Sequence, residues 1–158
     1  MSSPQLFPQL DVEGGYGYAT TVDFVSGHLS IIDIDPPEEA HDITDFELPG
    51  AGSIVVHGQY AYVSGGGGLQ IIDVSNPDTP VVVNVVPGGG GSGLVYSGGY
   101  VYGGGGTSGL VIVDVDPSES AFVLTTVPTP GNAGAVAVSD GYAYVIDDAT
   151  GLRIIKLW

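Results

Sequence analysis

A unit of about forty residues recurs four times along this chain, and that repeat limits the fold more than any other feature. Its clearest marker is a Tyr-x-Tyr pair, at Tyr16/Tyr18, Tyr60/Tyr62, Tyr100/Tyr102 and Tyr142/Tyr144. A tight-turn signal precedes each pair: Glu13-Gly14-Gly15, His57-Gly58-Gln59, Ser97-Gly98-Gly99 and Ser139-Asp140-Gly141. A short apolar run follows each pair, beginning at Ile31, Ile71, Ile112 and Ile154. The three markers stay in step to the end of the chain.

Each unit parses into four short strands bounded by Gly, Pro, Asn and Asp clusters. In the second unit these are the runs beginning at Ser53, Tyr60, Leu69 and Pro80. No segment has helical periodicity with caps, so essentially no helix is predicted. The third and fourth strands are apolar at successive positions, whereas a sheet covered on one side alternates. Both faces of each unit are therefore expected to be covered by neighbouring units. In each Tyr-x-Tyr pair the two rings share one face, and the small residue between them (Gly17, Ala61, Val101 or Ala143) points to the other. Rings from one unit can pack on small residues of the next.

The predicted fold is an all-β, four-bladed β-propeller of four-stranded antiparallel blades. Its units cover approximately 8–51, 52–92, 93–133 and 134–158, in a single domain. The last blade lacks an outer strand of its own, because Leu152 to Trp158 supplies only its third. This leaves an unpaired edge carrying both basic residues, Arg153 and Lys156, together with Trp158. Those three residues mark an expected assembly edge.

The run Leu110-Val111-Ile112-Val113-Asp114 and the second unit's Leu69-Gln70-Ile71-Ile72-Asp73 carry a resemblance to the LVIVD-repeat proteins. That resemblance, traced over nearly the whole chain, implies a propeller-like scaffold frequent in bacterial and archaeal surface proteins. It implies no catalytic residues. The fourth unit departs from the pattern, with Lys156 where the others have Asp33, Asp73 and Asp114.

Charge narrows the partners. Eighteen acids face two bases, a formal net charge of −16. Phosphate backbones need clustered Lys and Arg, so nucleic acid is excluded as a partner. The chain has no apolar run long enough to span a membrane and no export-signal pattern, so no membrane insertion is expected. An acidic, lysine-poor surface suits a salty exterior, and an extracellular or cell-surface location is expected. The 43% hydrophobic content argues for a folded chain despite the charge.

Propeller topology gathers most acids on the rim shared by the first-to-second and third-to-fourth strand turns. Asp35, Glu38, Glu39, Asp116 and Glu119 are the candidate binding residues there. Asp23, Phe24 and His28, in a longer second-to-third strand connection of the first unit, are candidates on the other rim. A basic protein or a divalent cation, calcium above all, would suit such carboxylates. No other cofactor is implied. Asp33, Asp73 and Asp114 are expected to cap the turns that follow them. Asp11 is expected to face a central channel, satisfied by water.

His28, His41 and His57 fall in different elements, and there is no cysteine. No nucleophilic triad or metal-spaced histidine cluster follows, so no catalytic residue is assigned. The glycine matches at Gly88-x-Gly90-x-x-Gly93 and Gly104-x-Gly106-x-x-Gly109 open no helix and are not nucleotide fingerprints. The expected function is a non-catalytic scaffold or interaction module. One alternative is a self-assembling subunit, in a filament or a ring, joined through the terminal strand edge. The other is a carboxylate-based glycan hydrolase, which would need two acids converging in a cleft with one pKa raised.

Overall fold

The computed structural model describes residues 6–22 and 26–158. The fold is all-β, with four antiparallel sheets following one another along the chain. Sheet 1 comprises β1 (Leu6–Glu13), β2 (Tyr16–Val22), β3 (Gly27–Asp33) and β4 (His41–Glu47). Sheet 2 comprises β5 (Ile54–His57), β6 (Tyr60–Gly65), β7 (Gly68–Asp73) and β8 (Val81–Pro87). Sheet 3 comprises β9 (Ser92–Ser97), β10 (Tyr100–Gly104), β11 (Leu110–Asp114) and β12 (Phe122–Val127). Sheet 4 has three strands, β13 (Ala133–Ser139), β14 (Tyr142–Asp147) and β15 (Gly151–Lys156). Helix is confined, among the described residues, to single 3-10 turns at Pro37–Glu39 and Ser118–Ser120.

Register explains why the third strand is apolar at every position. In sheet 3, Tyr102 pairs with Ile112 and Val101 with Val113. Leu110 and Ile112 thus share the tyrosine face, while Val111 and Val113 share the opposite one. Both sets are buried, but in different clusters. Tyr102, Leu110 and Ile112 pack on Ala133, Val136, Ala143 and Val145 of sheet 4. Val101, Val111 and Val113 lie under Tyr62, Leu69 and Ile71 of sheet 2. Between sheets 1 and 2, Tyr18, Leu29 and Ile31 cover Ile54, Val56, Ala61 and Ile72. Each junction therefore sets the tyrosine face of one sheet on the small-residue face of the next. Each fully buried Leu or Ile contributes about 1.5–3 kcal/mol from apolar burial.

Covering is less complete than the sequence pattern suggested. Sheets 2 and 3 are buried on both faces, but sheets 1 and 4 each keep one face in solvent. The outermost strands are also half-exposed, with Val81 and Val85 in β8 and Phe122 and Leu124 in β12 open to water. These strands lie at the end of each sheet away from the junction cores, so their apolar runs are only partly covered.

The two rims are built differently. On one, the β1–β2 turn meets the β3–β4 turn, and a Cβ placed on Gly15 would lie 3.5 Å from that of Asp35. The matching pair in sheet 3 is Gly99 and Asp116. Asp33, Asp73 and Asp114 do cap the turns after them, accepting the amides of Asp35, Ser75 and Asp116 at 3.0, 2.9 and 3.1 Å. On the other rim backbones crowd. A Cβ on Gly104 would sit 1.7 Å from the Gly134 carbonyl oxygen, and Gly106 bridges to Ala133 to tie sheets 3 and 4.

Asp11 is satisfied by protein and not by water alone as expected. Its carboxylate accepts the Val56 amide at 2.7 Å, and Glu13 accepts the Gly58 amide at 2.6 Å. Across the first junction Asp11 thus satisfies an amide of β5 and Glu13 one of the turn that follows it, and the valine or alanine at the repeat position of Asp11 cannot do this.

Candidate functional site

A cleft of about 370 Å³ opens at the junction of sheets 2 and 3, on the acidic rim. One wall is aromatic. His57 stacks on Tyr96 at 3.9 Å between ring centroids, and Tyr96 lies 5.9 Å from Tyr62 in a near-parallel arrangement. His57 and Tyr62 belong to sheet 2 and Tyr96 to sheet 3, so the ladder spans the junction. The other wall is the turn Asp116-Pro117-Ser118-Glu119, carried into place by the 3-10 turn after β11.

Two hydroxyls join the walls. Tyr60 donates a hydrogen bond to the Glu119 carboxylate. Tyr62 lies 3.0 Å from the Ser118 hydroxyl, which itself donates to the Val115 carbonyl, so Tyr62 is the donor of that pair. Asn84 of β8 adds bonds to the carbonyls of Ser118 and Ala121 at 3.3 and 3.4 Å. The Tyr60 hydroxyl holds Glu119 below the usual carboxylate range, while the same bond pushes Tyr60 up. Burial pushes Tyr62 up. The cleft thus presents carboxylate charge beside π-faces, a combination that attracts guanidinium or ammonium groups.

Of the residues singled out in the sequence, Asp116 and Glu119 meet in this cleft. Asp35, Glu38 and Glu39 occupy the corresponding turn of sheet 1, exposed and in a different place on the rim. His28, the second residue of β3, lies on the opposite rim between Ser26, 3.3 Å from Nε2, and Asp45, 3.4 Å from Nδ1. Asp23 and Phe24 lie outside the described residues. Arg153, Lys156 and Trp158 are all exposed at the end of sheet 4, with Trp158 tilted against Tyr100 at 5.1 Å between centroids. The cleft's aromatic residues were legible only as junction packing. Tyr60 and Tyr62 do pack there, but their hydroxyl ends reach the rim, which the spacing of the pairs does not disclose.

A hollow of about 330 Å³ on the opposite rim is lined by Ser64 and glycines, among them Gly50, Gly65 and Gly90, and offers mainly backbone groups. Asp147, 1% exposed, accepts the amides of Gly131, Ala149 and Thr150 and the Thr150 hydroxyl at 2.8–3.1 Å. Burial pushes its carboxyl up, but the hydrogen bonds outweigh burial and hold it at about 2. It is a structural knot at the end of β14. Among the described residues, no group of three or more His, Asp or Glu is gathered as metal ligands would be.

Comparison with solved structures finds the same fold at low identity. The computationally designed Ika4 protein is 11% identical, with a TM-score of 0.73, over 100% of this chain and 94% of that one. The designed Ika8 protein is 11% identical, with a TM-score of 0.70, over 94% of this chain and 45% of its own. A functionally unknown protein from Desulfotomaculum acetoxidans is 11% identical, with a TM-score of 0.77, over 94% of this chain and 51% of its own. The chain thus spans about half the length of the last two. No characterised protein matches in a sequence search. The model of the LVIVD repeat matches residues 50–86, 88–126 and 130–156. Those segments correspond to sheets 2, 3 and 4. Sheet 1 has the same architecture but lies outside the matched segments, so the family pattern reaches less far than the sequence resemblance had traced it. With more than half of its residues matched in three consecutive repeats, this chain belongs to the LVIVD-repeat family.

Proposed function

We propose that the four sheets are blades of a β-propeller that serves as a non-catalytic interaction module at the cell surface or outside the cell. The cleft at the second junction is its binding site, and its partner is a basic segment of another protein. The observation that carries this reading is the pairing of Asp116 and Glu119 with the Tyr62–Tyr96–His57 ladder. An arginine or lysine side chain entering there meets carboxylate oxygens at its head and a ring face along its stem. The net charge of −16 steers such a partner toward the rim. The depressed Glu119 favours binding over hydrolysis, since a glycosidase acid needs a raised carboxyl.

Isothermal titration with an arginine-rich peptide tests this reading. Binding is expected, weakened about tenfold or more in Asp116→Asn/Glu119→Gln and falling as salt rises. Peptide binding that the double variant leaves unchanged, or no binding at low salt, would remove the proposal. Calcium is the competing cation: a thermal shift with calcium chloride that sodium chloride at equal ionic strength does not give would favour it.

A further inference from the structure

The fourth sheet presents to solvent a face that the other three bury. Leu152 and Ile154 of β15 are 55% and 60% exposed, whereas their counterparts Leu29/Ile31, Leu69/Ile71 and Leu110/Ile112 are at most 1% exposed. Tyr142, Tyr144 and Ile146 share that open face, by the pairing of Tyr144 with Ile154 and of Ile146 with Leu152. At the other end of the chain, sheet 1 leaves its small-residue face open. Leu10 and Val12 are 64% and 55% exposed, while their counterparts Ile54 and Val56, under the tyrosines of sheet 1, are 7% and 5% exposed. The two open faces are the two halves of the junction this chain already uses three times.

We propose that the tyrosine face of sheet 4 docks on sheet 1 of a second copy, which returns the same contact, so that two chains close a ring of eight sheets. This goes beyond the cleft described above and does not rest on it.

Three further observations fit this occupant. The first is a matching turn. The 3-10 turn Pro37–Glu39 of sheet 1 repeats Ser118–Ser120 of sheet 3, with flanking Pro36 and Pro117 at φ −79° and −82°. Glu119 of the latter bonds Tyr60 of the preceding sheet. Its counterpart Glu38 is exposed, and among the described residues no sheet precedes sheet 1 to offer it a tyrosine; Tyr142 is the counterpart of Tyr60. The second is charge. Asp73 lies close enough to Glu119 to repel it electrostatically at the second junction. In sheet 4 the same position is Lys156, exposed and paired with Tyr142. The one repeat position that changes sign therefore faces Glu38 and Glu39 when the junction rule is applied once more. The third is length, since two chains of the same fold are about twice as long as this one.

Sedimentation velocity of the 158-residue chain over a wide concentration range tests the proposal. A species of twice the chain mass is expected. A single chain mass at every concentration would overturn it, as would a larger ring or an open-ended series. Ile154→Asp, at a site exposed within one chain, is expected to fold normally by circular dichroism and to remain single. Lys156→Glu is expected to weaken the dimer about five- to tenfold, and Glu38→Lys added to it to recover most of that loss. A dimer indifferent to all three substitutions would lie elsewhere on the molecule and would refute the contact.

Discussion

The hydroxyl of Tyr60 is bonded to the carboxylate of Glu119, 59 positions later in the chain and in the 3-10 turn between β11 and β12 of the next sheet. The bond crosses the junction at its acidic rim, where the apolar core ends. It couples the titrations of both groups. Glu119 is depressed, so its contribution is present above the ordinary carboxylate value of 4.5 and is lost as pH falls through its folded value. Tyr60 is raised, so its contribution is present below 10.0 and is lost as pH rises through its folded value. Tyr60→Phe is expected to remove the alkaline decline in thermal midpoint that this tyrosine causes. Melting curves from pH 4 to 11 on the two proteins check it, and superimposable profiles would deny the coupling.

Asp147 is expected to withstand acid. Its folded value of about 2 lies below the ordinary 3.8, so its stabilising effect is complete above 3.8 and vanishes only as pH falls through about 2. Asp147→Asn keeps the shape but surrenders charge-assisted acceptance from three amides and a hydroxyl. Its melting temperature is expected to drop at pH 7 and to converge toward that of the parent near pH 2. A carboxyl carbon titration by NMR locates the midpoint directly.

Core positions at the junctions should dominate stability. Ile112→Ala, at a site 1% exposed, is expected to cost about 2–5 kcal/mol. Leu124→Ala in the outer strand β12, 40% exposed, is expected to cost far less, about 1 kcal/mol or below. Chemical denaturation of both variants gives the comparison. Equal losses would mean that the outer strands are as firmly packed as the junctions.

Gly104 and Gly134 touch across the third junction yet should respond differently. A Cβ on Gly104 would lie 1.7 Å from the Gly134 carbonyl oxygen, which only backbone movement can relieve. On Gly134 the nearest atom to a Cβ is the Ile146 carbonyl oxygen at 3.7 Å, an ordinary contact. Gly104→Ala is expected to lower the melting temperature sharply and Gly134→Ala to leave it nearly unchanged. Scanning calorimetry on the pair distinguishes them.

The junctions were largely readable from the chain alone. A tyrosine every second residue, with glycine, alanine or valine between, has one bulky and one small face in any strand. Apolar residues at successive positions, as in Leu110 to Val113, need cover on both sides. Periodicity therefore specified which face meets which. The cleft was less readable, because Glu119 reaches Tyr60 only through the placement of a 3-10 turn between β11 and β12. The partner of Asp11 is hidden for a related reason: Val56 belongs to β5, and a strand's own pattern does not identify its neighbour's exposed donors. The open faces of sheets 1 and 4 are not legible in the repeat, because each unit, considered alone, has the pattern of one covered on both sides.

Every sheet in this molecule has two unlike sides, and the contact between neighbours always runs the same way, rings onto small residues. A stack made by such a rule has a direction, with a beginning that accepts and an end that inserts. Nothing in that chemistry counts the units, since the third contact asks nothing that the first did not. The number of sheets in a finished array is therefore set by how far each contact turns the stack, and chains of four or eight units can answer to the same local instruction.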